Sequence, residues 1–167
     1  MTDIFDHYWF ADDGRIFSSR RAALAALDDA DFVKWKEVRQ ATPWPRDEAG
    51  AQTARALVDV LARFGLPGPP APPTREEARA ECARRITAVA SLEAQMNIER
   101  AMRRLAKKPT PTADETADLA NADALDQWIT AMRATWKTLL AAGDVAFRTD
   151  AKWPTCPETA RALAAKY

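Results

Sequence analysis

The stretch TREEARAECARRITAVASLEAQMNIERAMRRLAKKPTPTADETADLANADALDQWITAMRATWKTLLAAG, from Thr74 to Gly143, decides the fold. It reads as two long helices folded back on each other. Thr74 and Glu77 have capping-box spacing: the Thr oxygen accepts from the amide three residues on, and the Glu reaches back to the cap amide. From Arg75 to Lys107 there is neither Pro nor Gly, and good helix formers dominate. Ala78, Cys82, Ile86, Val89, Leu92, Met96 and Leu105 recur at threes and fours, with Ala101 and Met102 beside them, so one face is apolar. Lys107 and Lys108 suit the negative end of the helix dipole, and Pro109 and Pro111 stop the helix.

The second helix opens on another capping box, Thr112 and Glu115, with Asp114 in the same first turn. Leu119, Ala122, Leu125, Ile129, Met132, Trp136 and Leu139 form its stripe, and Gly143 is a natural C-cap. Each helix is expected to span about 45 Å at ~1.5 Å per residue. The short Lys108–Pro111 link forces an antiparallel pairing of coiled-coil type. Two helices alone bury little, so the open side is expected to meet another segment or another chain, a homo-oligomer included.

Outward from this hairpin, His7 to Ser18 reads as a β-hairpin turned at Asp12-Asp13-Gly14. Ser19 is expected to cap a short helix through Leu27. Asp28 and Asp29 are expected to cap another, from Asp31 to about Gln40, with Phe32, Trp35 and Val38 inward. Thr42-Pro43-Trp44-Pro45 must be extended. A third helix is expected from Ala51 to Phe64, ended by Gly65. Leu66 to Pro73 holds five prolines and reads as a stiff linker. After Gly143, a short extended piece is expected within Asp144–Trp153, and a last helix from Glu158 to Lys166. The fold class is therefore mostly α. A small α+β head occupies residues 1–66, a proline-rich linker 67–73, the antiparallel helical hairpin 74–143, and an extended segment with a short helix 144–167.

The totals narrow the function. The 167 residues carry 24 basic and 24 acidic side chains, so the formal net charge is zero. That balance argues against nucleic acid or an acidic membrane as partner. The acidic first residues lack the apolar run of a signal peptide, and no stretch approaches the ~20 apolar residues of a membrane span. Cys82 and Cys156 make no metal-spacing motif and suggest a reducing compartment.

Chemistry-bearing motifs are scarce. His7, the single histidine, would need Asp3, Asp6, Asp12 or Asp13 to orient it as a base; no nucleophile context accompanies it, and packing is the better reading. Cys82 belongs to a core face. Cys156, in Thr-Cys-Pro, is expected at the surface without a basic cluster to activate it. Arg84-Arg85, Arg100, Arg103-Arg104 and Lys107-Lys108 are interleaved with Glu76, Glu77, Glu81, Glu93 and Glu99, which suits a solvated helix face. Asp12-Asp13-Gly14 lacks the later oxygen ligands of a calcium loop. Gln95 and Asn97 could fix helix register or face water. No catalytic residue, cofactor or metal is expected.

Two pieces of the chain resemble a known family. Tyr8-Trp9, Ile16-Phe17-Ser18-Ser19, Asp28-Asp29, Phe32 and Trp35 resemble the opening of small tail proteins of tailed bacteriophages: an aromatic strand, a strand ending in Ser-Ser, and a short Trp-containing helix. Trp128 to Pro157, with Trp128, Arg133 and Trp153-Pro154-Thr155-Cys156-Pro157, resembles the close of phage tail-fibre assembly proteins. The Ala-Met-Arg context of Arg133 departs from the tyrosine-containing form of that family and leaves chaperone and permanent virion component both open. The resemblance implies a non-enzymatic protein that binds a tail or tail-fibre protein, in the host cytoplasm during assembly or in the virion tail.

Trp128, Trp136, Trp9 and Trp35 are the expected protein-binding residues, since Trp is a frequent hot-spot side chain. Trp136 is expected in the helix seam and Trp128 toward a partner or the head. Two rival readings stand beside this one. A regulatory or nucleic-acid-binding helical protein would use the Arg-rich helix, and the neutral net charge weighs against it. An enzyme would use His7 and its acids, and the missing motifs weigh against that.

Overall fold

Asp12, Asp13 and Gly14 turn the chain as expected. Gly14 sits at a φ of 88°, a left-handed conformation that a side chain would strain. The turn joins strand β1 (Tyr8–Phe10) to an antiparallel β2 (Ile16–Ser18). The computed structural model describes residues 7–167, and these contain six α-helices and four β-strands. They form two compact units, one ending at Pro72 and the other beginning at Pro73.

In the first unit, the helix expected from Ser19 to Leu27 does not form. Ala22 adopts a φ of 51°, and Ala23–Ala25 is strand β3, antiparallel to β2. Alanine's helix preference is worth only tenths of a kcal/mol per residue. Ile16 and Ser18 are almost wholly buried, and leaving their backbone edge unpaired would cost more. Asp29 then caps α1 (Ala30–Lys36) by accepting from the Phe32 amide at 3.1 Å. This helix stops short of Gln40. Phe32 and Trp35 point inward, but Val38, past the helix end, is 81% exposed, against the expectation that it faces the core. Strand β4 (Thr42–Pro43) pairs parallel to β1, giving the order β3-β2-β1-β4.

Helix α2 (Ala54–Ala62), capped by Thr53, completes this unit. Trp9 and Phe17 on one sheet face pack with Trp44, Leu57 and Leu61. Tyr8 and Ile16 on the other pack with Phe32 and Trp35. Each face is thus covered by one helix. Phe64, beyond α2, is exposed, and Gly65 ends the turn at a φ of 68°. The proline segment then returns along α2. A Cβ on Gly68 would lie 2.6 Å from Val58 Cγ2, and Arg55 donates to the Pro72 carbonyl at 2.5 Å.

In the second unit, the Thr74–Glu77 capping box starts α3 (Arg75–Val89). The continuous helix expected as far as Lys107 is broken. Ala90 is extended (φ −133°, ψ 103°), and Ser91 caps a new helix, α4 (Leu92–Leu105), by accepting from the Ala94 amide at 3.0 Å. Gln95 closes the break by donating to the Ala90 carbonyl at 2.8 Å. The break rephases the chain. Ala94 and Ile98 are buried, while Leu92 and Met96, expected on the inner stripe, are 70% and 50% exposed.

Helix α5 (Ala113–Ala141) is one piece of 29 residues, opened by the Thr112–Glu115 box. Gly143, at a φ of 59°, ends it: Asp144 donates to the Leu139 carbonyl and Gly143 to Leu140, both at 3.0 Å, which is a Schellman motif. The expected pair of continuous long arms is therefore one long helix against two shorter ones. Asp144–Trp153 is not extended but turns, with a 3₁₀ turn at Asp150–Lys152. Helix α6 (Glu158–Lys166) follows. Phe147, Trp153, Cys156, Ala160 and Leu163 share one core with Cys82, Ile86, Ile98, Trp128 and Met132, so the open side of the long helix is filled from its own unit.

Candidate functional site

Four tryptophans carry the expected binding role. Trp128 is 6% exposed and its indole donates to the Pro154 carbonyl at 3.0 Å. The expectation that Trp128 faces a partner is therefore corrected: the C-terminal segment folds over it. Trp136, expected in the seam, is the more exposed of the two and packs only partly against the core. Trp9 is buried and donates to Ser19 Oγ at 2.9 Å. Trp35 is buried against Tyr8, ring centroids 5.0 Å apart. The structure does not bring the four together: two lie in each unit.

A different surface is open. Between α4 and the first half of α5 runs a groove of about 330 Å³, floored by Ile98, Met102, Leu119, Ala122, Leu125 and Ile129. Its rim carries Gln95, Glu99, Asp123 and Asp126. Glu99 pairs with Arg103 at 2.5 Å. Asp123 and Asp126 are exposed and have no ion pair among the described residues. From Ala113 to Met132 the chain holds Asp114, Glu115, Asp118, Asp123 and Asp126 but no Lys or Arg. Lys108 answers Glu115 at 2.7 Å and Lys166 answers Asp118 at 2.5 Å, which leaves Asp114 in the first turn of α5, and Asp123 and Asp126 at the groove, without an ion pair among the described residues. An apolar floor under an acidic rim suits an apolar segment flanked by basic residues.

The Arg-rich face of α3 is largely committed. Glu81, 9% exposed, accepts from Arg84 Nη2 and Arg85 Nε, both at 2.7 Å. Arg85 also binds Asp150 at 2.8 Å and the Arg148 carbonyl at 2.7 Å, with its guanidinium 5.2 Å from the Trp153 ring centroid. This cluster staples α3 to the 148–153 segment. The Arg84 guanidinium, with Arg85 behind it, holds the Glu81 carboxyl below its ordinary range against the opposing effect of burial. A carboxyl depressed in the folded state adds stability above its unfolded pKa and loses it as pH falls through the folded value. Glu81→Gln is therefore expected to lower stability on the order of 1–2 kcal/mol at neutral pH, and by less as the medium is acidified to about pH 3. Thermal melts of both proteins across that range test this; parallel pH profiles would refute it.

His7 is a packing residue. Its Nε2 lies 2.6 Å from Thr42 Oγ1, and its ring meets Trp9 and Trp35 edge-on at 5.5 and 5.6 Å. Of the acids expected to orient it, Asp12 is engaged by Arg46 and Gln52, and Asp13 by Arg15 at 2.7 Å. Asp3 and Asp6 lie outside the described residues. Cys82 is buried as expected, its thiol donating to the Met132 carbonyl at 3.4 Å. Cys156, expected at the surface, is 6% exposed, because α6 and the α5 face close around it. Burial pushes both thiols up, away from reactive thiolate. Asn97 donates to the Tyr167 carbonyl at 3.3 Å, so it ties α4 to the chain end rather than facing water. Among the described residues, no three His, Cys, Asp or Glu are placed to hold a metal ion.

Sequence reasoning found half of the groove. Leu119, Ala122, Leu125 and Ile129 stand on the expected α5 stripe, but Ile98 and the acidic rim were missed. The available signal was Ser91 with Glu93: a cap residue and an acidic first turn mark a new helix whose inner face begins at Ala94. In comparisons with known proteins, the chain matches no protein-family model, no curated protein and no solved structure.

Proposed function

We propose that the chain is a non-enzymatic interaction protein of a tailed-phage tail, serving tail-fibre assembly or the tail itself by gripping another tail protein. The phage setting rests on the resemblance at Tyr8–Trp35 and Trp128–Pro157. The groove between α4 and α5 supports the binding role. It is apolar, open, and edged by Asp123 and Asp126, which form no ion pair among the described residues. Its occupant is a helical segment of the tail protein whose apolar side chains are flanked by Lys or Arg. Such a segment buries the floor and pairs the rim in one step. The protein then works in the host cytoplasm during assembly and stays in the tail if the contact persists. No helix among the described residues is long and apolar enough to cross a membrane.

The charge-reversed double variant Asp123→Lys, Asp126→Lys tests this reading. Both residues are exposed, so the melting temperature is expected to stay near that of the parent. Capture of purified tail-fibre or tail-subunit protein is expected to weaken by about tenfold, the scale of two rim charges turned repulsive. Undiminished capture would remove the groove from the reading. Absence of binding by the parent protein would remove the tail-protein partner altogether.

A further inference from the structure

The head's four-stranded sheet has two unequal edges. On one side lies β4, two residues long and carrying Pro43, a residue suited to a closed edge. On the other lies β3, inside the segment Arg20-Arg21-Ala22-Ala23-Leu24-Ala25-Ala26-Leu27-Asp28-Asp29. Between its charged ends this edge has no Pro and no charge. Leu24 is 57% exposed and Leu27 is 59% exposed.

The ladder fixes which backbone groups that edge offers. Ser19 donates to the His7 carbonyl and Ala11 to the Arg15 carbonyl, both at 2.9 Å. Bonded and non-bonded pairs alternate along an antiparallel ladder, so Trp9–Phe17 is the bonded pair between these two. Ile16 and Ser18 therefore turn their N–H and C=O groups toward β3, where they oppose Ala25 and Ala23. Leu24, between those two, directs its own N–H and C=O away from the sheet.

We infer that this edge pairs with β3 of a second copy of the chain, antiparallel, with Leu24 opposite Leu24. Each Leu24 N–H then donates to the other Leu24 carbonyl about a two-fold axis, and the two leucines lie side by side. The antiparallel arrangement also sets the turn before β3, which carries Arg20, beside the turn after β3 of the other copy, which carries Asp28. Charge supports this choice of partner. Arg21 and Asp29 pair within the chain at 2.7 Å, whereas Arg20 and Asp28 are exposed and pair with nothing among the described residues. A basic turn before the strand and an acidic turn after it make this edge complementary to its own reverse. The contact is short, so the dimer is a reversible one that forms with rising concentration. This inference is independent of the groove and of the tail-protein reading.

Sedimentation velocity on the full chain over a concentration series is the test. The parent is expected to shift from monomer to dimer. Asp28→Arg leaves two facing arginines, and Arg20→Asp leaves two facing aspartates; each alone is expected to weaken dimerisation by about tenfold. Mixed in equal amounts they restore both ion pairs, and a heterodimer of parental affinity is expected. Both positions are exposed, so both variants should fold, which circular dichroism checks. Leu24→Pro, which removes the outward N–H and the leucine side chain but no donor of the β2–β3 ladder, is a second variant expected to be monomeric. A parent that stays monomeric throughout would overturn the proposal. So would variants that dimerise like the parent, or a mixture that does not recover.

Discussion

Trp128→Ala is expected to destabilise the Pro73–Tyr167 unit by about 3–5 kcal/mol, the range for emptying a buried Trp site. Trp128 packs among Leu125, Ile129, Met132 and Trp153 in one core, and its indole is tied to the Pro154 carbonyl. Removing it leaves a cavity and an unpaired carbonyl beneath the C-terminal segment. Total stability of small domains is about 5–15 kcal/mol, so the loss is a large fraction of what holds the unit folded. Trp128→Phe keeps most of the volume and loses the hydrogen bond, at about 1–2 kcal/mol. Urea denaturation followed by far-ultraviolet circular dichroism measures both. A Trp128→Ala protein as stable as the parent, yet deficient in association, would restore the role of partner anchor that burial argues against.

Trp44→Ala is expected to cost the first unit a similar ~3–5 kcal/mol. Trp44 is 2% exposed and belongs to the core with Trp9, Phe17, Leu57 and Leu61. Its indole donates at 2.8 Å to the carbonyl of Thr53, the cap of α2, and the Arg15 guanidinium lies 4.7 Å from its ring centroid. One side chain therefore joins the sheet, the loop after β4 and the start of α2. Hydrogen exchange on the amides of Tyr8–Ser18 and Ala54–Ala62 reads the loss directly. Their protection should fall by about a hundredfold or more, since ~1.4 kcal/mol is a factor of ten. Protection within one order of magnitude of the parent would show that Trp44 is not a keystone of this unit.

Features fixed within three or four residues could be read from the sequence alone. The boxes at Thr74–Glu77 and Thr112–Glu115, the Asp29 cap, the Gly14 turn and the Gly143 stop all close hydrogen bonds between near neighbours. Their energetics need no partner from elsewhere in the chain. Hence the mostly helical character with a β-hairpin at the head was legible, as were the long α5 and the bounds of α6.

Distant contacts decided much of the rest, and one local break decided the phase of α4. Ala23–Ala25 is a strand because β2 needs its outer edge paired, which outweighs alanine's weak helix preference. Trp128 is core rather than surface because Pro154, 26 residues on, folds back over it. Cys156 is buried by the same closure. One extended residue at Ala90 turned the apolar stripe of α4, exposing Leu92 and Met96 and sending Ile98 inward. A helical period carries phase only while the helix is unbroken, so no pattern read across the break could place that face. The groove follows from the same cause. Its α5 floor is written in the sequence as a stripe, but only packing reveals which part of that stripe the rest of the unit leaves uncovered.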